Sequence, residues 1–325
     1  MRLGTTAFSF TNEWLARRYS LEQVLRRVAE LELGPAIEVI GFQAWRDYPR
    51  LGAEDVAAFR RLVDELGLEQ SALGAYVDSA RRADRGMTVD EAVEFLAPQI
   101  ATAELLGFPL LRLHAGIPVA VLERLAPAAE RAGVTLATEF QGGQTPDHPA
   151  VAAVLDCRER LDSPSVALAL DFSVAMTDVP ASFAAAVSRL GMRRADLDRI
   201  VERWADGAST PELHAALNEL DAPDAALDEA RAGFVRFGRQ DPQDWLPLVP
   251  QVAYAHAKFW ELDDSGNDST VRTAELVDVL RAGRYTGVLA AEWGGSAWAD
   301  VQDVDAFELV RRHRALISKP AEVSA

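Results

Sequence analysis

Lysine is almost missing from this chain: Lys258 and Lys319 are the only two, and arginine supplies the rest of the positive charge. Cysteine is scarcer still. With Cys157 alone, no internal disulfide can form and a thiolate metal cluster is excluded, which favours a reducing compartment. No stretch approaches the ~18 uninterrupted apolar residues of a membrane span, and the opening MRLGTTAFSF lacks the apolar run of a secretory signal. The expectation is a cytoplasmic protein. Positive charge is short overall, 33 basic against 50 acidic residues for a net −17, so a phosphate backbone or an anionic membrane is repelled and neither nucleic acid nor membrane is expected as a partner. The acidic excess reads as a solvated surface. GxGxxG, GxxxxGK[ST] and GxSxG are all absent, which removes the nucleotide fingerprints and the nucleophile elbow.

What is present is a regular alternation. Eight short β-type runs stand out: RLGTTAF, AIEVIGF, SALGAYV, LLRLHAG, VTLATEF, SVALALDF, QVAYAHAKF and GVLAAEW. Helical patterns such as residues 20–34 and 53–68, with apolar residues recurring at three and four, lie between them. Ser20 with Gln23 has the spacing of a capping box, and Gly34 and Gly67 lie at or near helix ends. This is the pattern of an α/β chain, a (β/α)₈ TIM barrel, and 325 residues, 49% of them hydrophobic, exceed the ~250 such a barrel needs. The excess sits in one place. The sixth and seventh runs are about 85 residues apart where ~25 to 40 is the rule, so one domain over 1–325 with a helical insertion at 174–236 is expected. A βα loop opens on the carboxyl face of a barrel, which puts the insertion near any site as a lid, a wall or a subunit contact, with a decorative helical hairpin as the bland equal.

Chemistry in such a barrel sits where strands end. Strand five ends on Glu139, strand six on Asp171, strand seven carries His256 and Lys258, and strand eight ends on Glu292. Each follows small or branched apolar residues, where a lone carboxylate loses several kcal/mol of solvation. Singly, each could pair with an arginine or cap a helix. Together, three carboxylates and an imidazole are best reconciled by one divalent cation, Mn²⁺ first, Mg²⁺ or Co²⁺ next. His256 and Lys258, two apart, face the same way, as does Tyr254. Lys258 could hydrogen-bond a substrate oxygen or simply pair with Glu139 or Glu292. His114, ending strand four, is a proton-transfer group, a sugar-hydroxyl donor or a structural histidine. Glu38 on strand two is a substrate contact or the partner of a buried arginine. Phe8, Phe10, Trp45, Trp260, Trp293 and Trp298 lie near strand ends, where rings could stack on a sugar, although core packing is their commoner fate. His148, His214 and His313 do not look like ligands.

The pattern resembles the sugar phosphate isomerase/epimerase superfamily, the xylose-isomerase-like barrels, with Glu139, Asp171, His256 and Glu292 matching its strand-end ligands. YAHAKF is similar to the family's His-x-His-x-Lys-Asp strand, with Tyr254 replacing the first His and Phe259 the Asp. Ketose epimerases carry a His three residues after the strand-six Asp; Val174 stands there, which speaks against a simple epimerase. Within the superfamily, TTAFSFTNEW, GPAIEVIGFQAW and the large insertion are similar to alpha subunits of C-glycoside deglycosidases. That resemblance implies a small beta subunit as partner, where a homo-oligomer is the alternative, and a lyase acting on 3-oxo-glucosides. The chemistry implied is enolisation beside a sugar carbonyl, with Glu139, Glu292, Lys258 and His114 as catalytic candidates and Lys258, His114, Glu38 and Trp293 as substrate contacts. Rival readings are a sugar isomerase or epimerase, a non-catalytic metal-stabilised carbohydrate-binding or scaffold subunit, and a nuclease, whose multi-metal site should be rich in histidine where this chain has five in total and only two at strand ends.

Overall fold

The computed structural model describes residues 1–76, 85–114, 116–299 and 304–319. Val77 at the end of the third run, Ala115 at the end of the fourth and the tail from 320 lie outside the described residues. All eight runs form strands: β1 Arg2–Thr6, β2 Ala36–Ile40, β3 Glu69–Ala75, β4 Leu110–His114, β5 Thr135–Phe140, β6 Val166–Asp171, β7 Val252–Phe259 and β8 Val288–Trp293. They pair in chain order, all parallel, and β8 returns to β1. The protein is therefore a (β/α)₈ barrel.

A strand in such a barrel is covered on both faces, by side chains inside and by helices outside, so both faces are apolar near its start. Outward residues such as Leu111, Leu113, Leu136, Leu168, Leu170 and Leu289 join the large core beneath the helices. Inward residues alternate with them. The floor of the barrel is mostly alanine: Ala36, Ala72, Ala137, Ala169 and Ala290, with Leu110, Val288 and Tyr254. Small side chains leave the width that Tyr254 fills, and its hydroxyl finds Ser71 Oγ at 3.3 Å. Two residues further along the strands the character inverts. Above Ala36, Ala72, Leu110, Ala137, Ala169, Tyr254 and Ala290 come Glu38, Gly74, Arg112, Glu139, Asp171, His256 and Glu292, a layer that is almost wholly ionisable and almost wholly buried.

Helix ends follow the expected chemistry with one exception. Ser20 and Gln23 form a capping box at the start of Leu21–Glu30, and Gly67, at φ 62°, ends Ala53–Leu66 in the left-handed region. Gly34 does not end its helix. The left-handed residue is Glu32, at φ 55°, which lets the Leu33 amide bond Val28 O at 2.9 Å. A side chain at positive φ costs about 1–2 kcal/mol, and fully burying Leu33 offsets it by about 1.5–3 kcal/mol.

Between β6 and β7 stand four helices, Ala181–Arg189, Arg194–Ala205, Thr210–Asn218 and Asp224–Val235. Rings tie them to the barrel mouth: Phe183 meets Trp298 at 5.1 Å between centroids, and Phe237 meets Trp260 at 5.6 Å. No described helix is long and apolar enough to cross a membrane.

Candidate metal centre in the barrel mouth

Four adjacent strands bring one donor each to a common point: β5 gives Glu139, β6 Asp171, β7 His256 and β8 Glu292, with ligand atoms all within 4.8 Å of one another. All four are buried. His256 Nδ1 lies 2.6 Å from Glu139 Oε1, 2.6 Å from Glu292 Oε2 and 3.9 Å from Asp171 Oδ2. Lys258, one step nearer the mouth, donates to Glu292 Oε1 at 2.5 Å and lies 3.7 Å from Asp171 Oδ2. Thus Lys258 holds the salt bridge to Glu292 and also lines the cavity.

The charges in this layer do not cancel. Four carboxylates, Glu38, Glu139, Asp171 and Glu292, face Arg112, Lys258 and His256; burial acts to lower the pKa of His256, but Glu292, Glu38 and Glu139 outweigh it and raise it well above the usual imidazole range, so the layer keeps one uncompensated negative charge. Asp171 Oδ2 and Glu292 Oε2 are buried and accept no hydrogen bond. Burial pushes Asp171 up to about 6 despite Lys258 beside it, with Glu292 and Glu139 adding to the rise. Burial also acts to raise Glu292, but His256 and Lys258 outweigh it and hold that carboxyl at about 2. Two orphaned carboxylate oxygens, an uncompensated negative charge and a donor set of three carboxylates and one imidazole fit a hard or borderline divalent cation.

Above this layer opens a cavity of about 720 Å³. Its inner wall includes Tyr76, His114, Gln141 and Lys258, and its outer rim includes Leu15, Ala232, Val235 and Arg236. The last three belong to the helix Asp224–Val235 or follow it directly, so the segment between β6 and β7 supplies one side of the mouth. His114 is half-buried, its Nε2 lies 3.5 Å from Gln141 Nε2, and burial lowers its pKa, with Arg112 and Lys258 adding to the effect and Glu139 opposing it.

Two expected substrate contacts are elsewhere. Glu38 is fully buried and outside the cavity lining; its carboxylate bonds Arg112 Nε at 2.5 Å and His256 Nε2 at 2.6 Å, which is the buried-arginine alternative. Trp293 faces outward, because Glu292 beside it faces in, and its Nε1 donates to Trp260 O at 3.0 Å. Of the rings considered as walls, Phe8 and Trp260 line the cavity, whereas Phe10, Trp45 and Trp298 do not. His148 caps the helix Pro149–Leu161, His214 contacts Arg231 O, and His313 stacks on Phe259. Tyr76, Gln141 and Arg112 were missed; the alternation that points His114 inward applies equally to Arg112, two residues before it, and would have found that one.

Residues 32–196 match the family described as xylose isomerase-like TIM barrel. Over the whole chain, the protein is 33% identical to the 3'-dehydrocarminate deglycosidase alpha subunit of Microbacterium sp., covering 97% of it. It is 35% identical to a C-glycoside deglycosidase alpha subunit of Arthrobacter globiformis, over 96% of this chain and 89% of that one. Among solved structures, D-allulose 3-epimerase from Methylomonas sp. superposes over 98% of this chain and 96% of its own with a TM-score of 0.57 at 15% identity. D-psicose 3-epimerase from Clostridium cellulolyticum H10 does so over 97% and 96%, with a TM-score of 0.56 at 13% identity. At such identities the two epimerases share the fold.

Proposed function

We propose, for a chain that belongs with the C-glycoside deglycosidase alpha subunits to the xylose-isomerase-like TIM-barrel family, the function of a divalent-metal-dependent lyase on 3-oxo-C-glucosides. The observation that carries it is the convergence of Glu139, Asp171, His256 and Glu292, two of them with orphaned oxygens, at the base of a cavity lined by His114 and Lys258. These four residues would hold the ion, with Mn²⁺ the first choice. When bound, it would polarise the sugar's ketone as a Lewis acid.

The chain's own residues then supply the rest. A 3-oxo group acidifies the hydrogen on carbon 2. His114, which lines the cavity and whose pKa burial lowers, would take that proton, with Gln141 beside its Nε2. The electron pair forms the bond between carbons 1 and 2, the bond from carbon 1 to the aglycone breaks, and the aglycone carbon takes a proton. Glu139 and Glu292 are the other candidate bases. Lys258 can stabilise negative charge on oxygen and orient the sugar. Within one domain over 1–325, the 174–236 insertion forms the wall against which the aglycone rests, through Ala232, Val235 and Arg236. A second subunit would complete the enzyme, in keeping with relatives that are called alpha subunits. A cytoplasmic setting suits the single buried thiol of Cys157.

The test is incubation with Mn²⁺ and either a 3-oxo-C-glucoside or a plain ketose in D₂O, with and without a partner subunit. Aglycone release is expected from the first. Deuterium uptake into the ketose without release would make the protein an isomerase or epimerase, and metal retained without either reaction would make it a binding subunit.

A further inference from the structure

We propose that Glu38, backed by Arg112, is a positioning residue that fixes which nitrogen His256 presents to the metal centre. The inference rests on the metal-dependent reading above. The two ring nitrogens of His256 face different worlds. Nδ1 faces the ligand cluster, 2.6 Å from both Glu139 Oε1 and Glu292 Oε2, and Nε2 faces Glu38 Oε2 at 2.6 Å on the far side of the ring. Glu38 cannot reach the ion from there. Carboxylates only accept hydrogen bonds, and they flank both nitrogens; a cation held by Glu139, Asp171 and Glu292 would take the place of the hydrogen on Nδ1 and use its lone pair, whereas Glu38 keeps the hydrogen on Nε2.

Arg112 makes this arrangement rigid. Its Nε donates to Glu38 Oε1 at 2.5 Å and its Nη1 to Glu139 Oε2 at 2.9 Å, so one planar guanidinium fixes both the carboxylate that orients the histidine and one of the ligands. All three groups are buried, although Arg112 and Glu139 also border the cavity. The space they occupy exists because β3 has no side chain there. A Cβ on Gly74 would lie 3.0 Å from Arg112 Nη2 and 3.2 Å from Glu38 Oε1. Sequence, fold and site meet at this point: a glycine on one strand, an arginine on the next and a glutamate on the strand before it decide the state of a histidine across the barrel.

The informative variant is Glu38→Gln, which keeps shape and removes charge. Arg112 can only donate, so it draws the amide oxygen and turns the NH₂ toward His256. That group needs an acceptor, which puts the hydrogen on Nδ1 and aims an N–H at the ligand cluster. A purely space-filling or fold-stabilising Glu38 would not respond in this way. The expected result is Mn²⁺ binding about 10- to 100-fold weaker, measured by titration calorimetry or by the electron paramagnetic signal of free Mn²⁺, with the metal-free variant still folded. An independent measurement needs no variant. In Zn²⁺-loaded, ¹⁵N-histidine-labelled wild-type protein, His256 should show a protonated Nε2 and a coordinated Nδ1. Coordination through Nε2, or Mn²⁺ affinity of Glu38→Gln within twofold of wild type, would overturn the proposal. If the wild type takes up no divalent ion, the metal-dependent reading fails and this inference falls with it. If Glu38→Gln does not fold, the wild-type spectrum still decides.

Discussion

Replacing Arg112 by methionine tests the ionic layer directly. The side chain is only 3% exposed and pairs with two carboxylates that are themselves buried, so solvent cannot soften the loss. Methionine fills most of the volume but leaves Glu38 and Glu139 each short of a charge-assisted hydrogen bond. Breaking a buried pair from one side costs about 3–5 kcal/mol. For a chain of this size that lowers the thermal midpoint by about 4–7 °C. Unfolding would be followed by circular dichroism in chelator and again in excess Mn²⁺. The ion would compensate Glu139, one of the two carboxylates, so the difference between variant and wild type should shrink in Mn²⁺. Arg112→Lys should fall between, because a single ammonium cannot serve both carboxylates with the geometry of a guanidinium. A loss below about 1 kcal/mol in both conditions would refute the reasoning, since it would mean that water already reaches these groups.

Gly74→Ala should destabilise by about 1–3 kcal/mol and weaken Mn²⁺ binding, because the new methyl group would sit 2.5 Å from Ile40 Cδ1 and against Arg112 and Glu38; an unchanged melt and unchanged metal affinity would contradict it. Mn²⁺ at a hundred times its dissociation constant should stabilise the protein by about 2.7 kcal/mol, and a chelator should abolish the gain, whereas a melt indifferent to both would exclude the centre. His313 supplies the pH dependence. It is buried with both ring nitrogens unbonded, and burial pushes it down to about 3. The unfolded imidazole takes up its proton near 6.5 and the folded one only near 3, so stability falls by about 2 kcal/mol from pH 8 to pH 5. Asp268, 3.8 Å away and pushed up to about 6 by burial, acts in the opposite sense, its share being lost as pH rises through 6. Denaturant melts of His313→Phe should therefore lack the histidine's share and gain about 2 kcal/mol over wild type on going from pH 8 to pH 5.

The barrel was legible because its strands are short apolar runs at regular spacing, and the ligand set because Glu139, Asp171, His256 and Glu292 each interrupt such a run at its end. Period-two alternation was not pressed far enough. Applied to β8, it turns Trp293 outward as soon as Glu292 is placed inward; applied to β2 and β4, it puts Glu38 and Arg112 in the same layer as the ligands. What local pattern could not supply was pairing across the barrel. That Glu38 meets His256 depends on the closed sheet bringing β2 opposite β7, and no window of sequence contains both. The wall from the helix Asp224–Val235 is illegible for the same reason: Val235 and Arg236 end an ordinary helix, and only the packing of Phe183, Phe237 and Trp298 brings them to the mouth.

The charged layer also guards the assembly of the barrel itself. Each of its members sits on a strand whose neighbours in sequence face the helices, so a slip of one residue would drive Glu139, Asp171 or Glu292 into the hydrocarbon shell beneath them, far from Arg112 and Lys258. Every misregistered strand would then bury an uncompensated charge at several kcal/mol. An all-apolar interior tolerates such a slip far better, since one aliphatic side chain resembles the next. The groups arranged for chemistry thus act as a proofreading device during folding, rejecting closed barrels in which any of these strands is out of step.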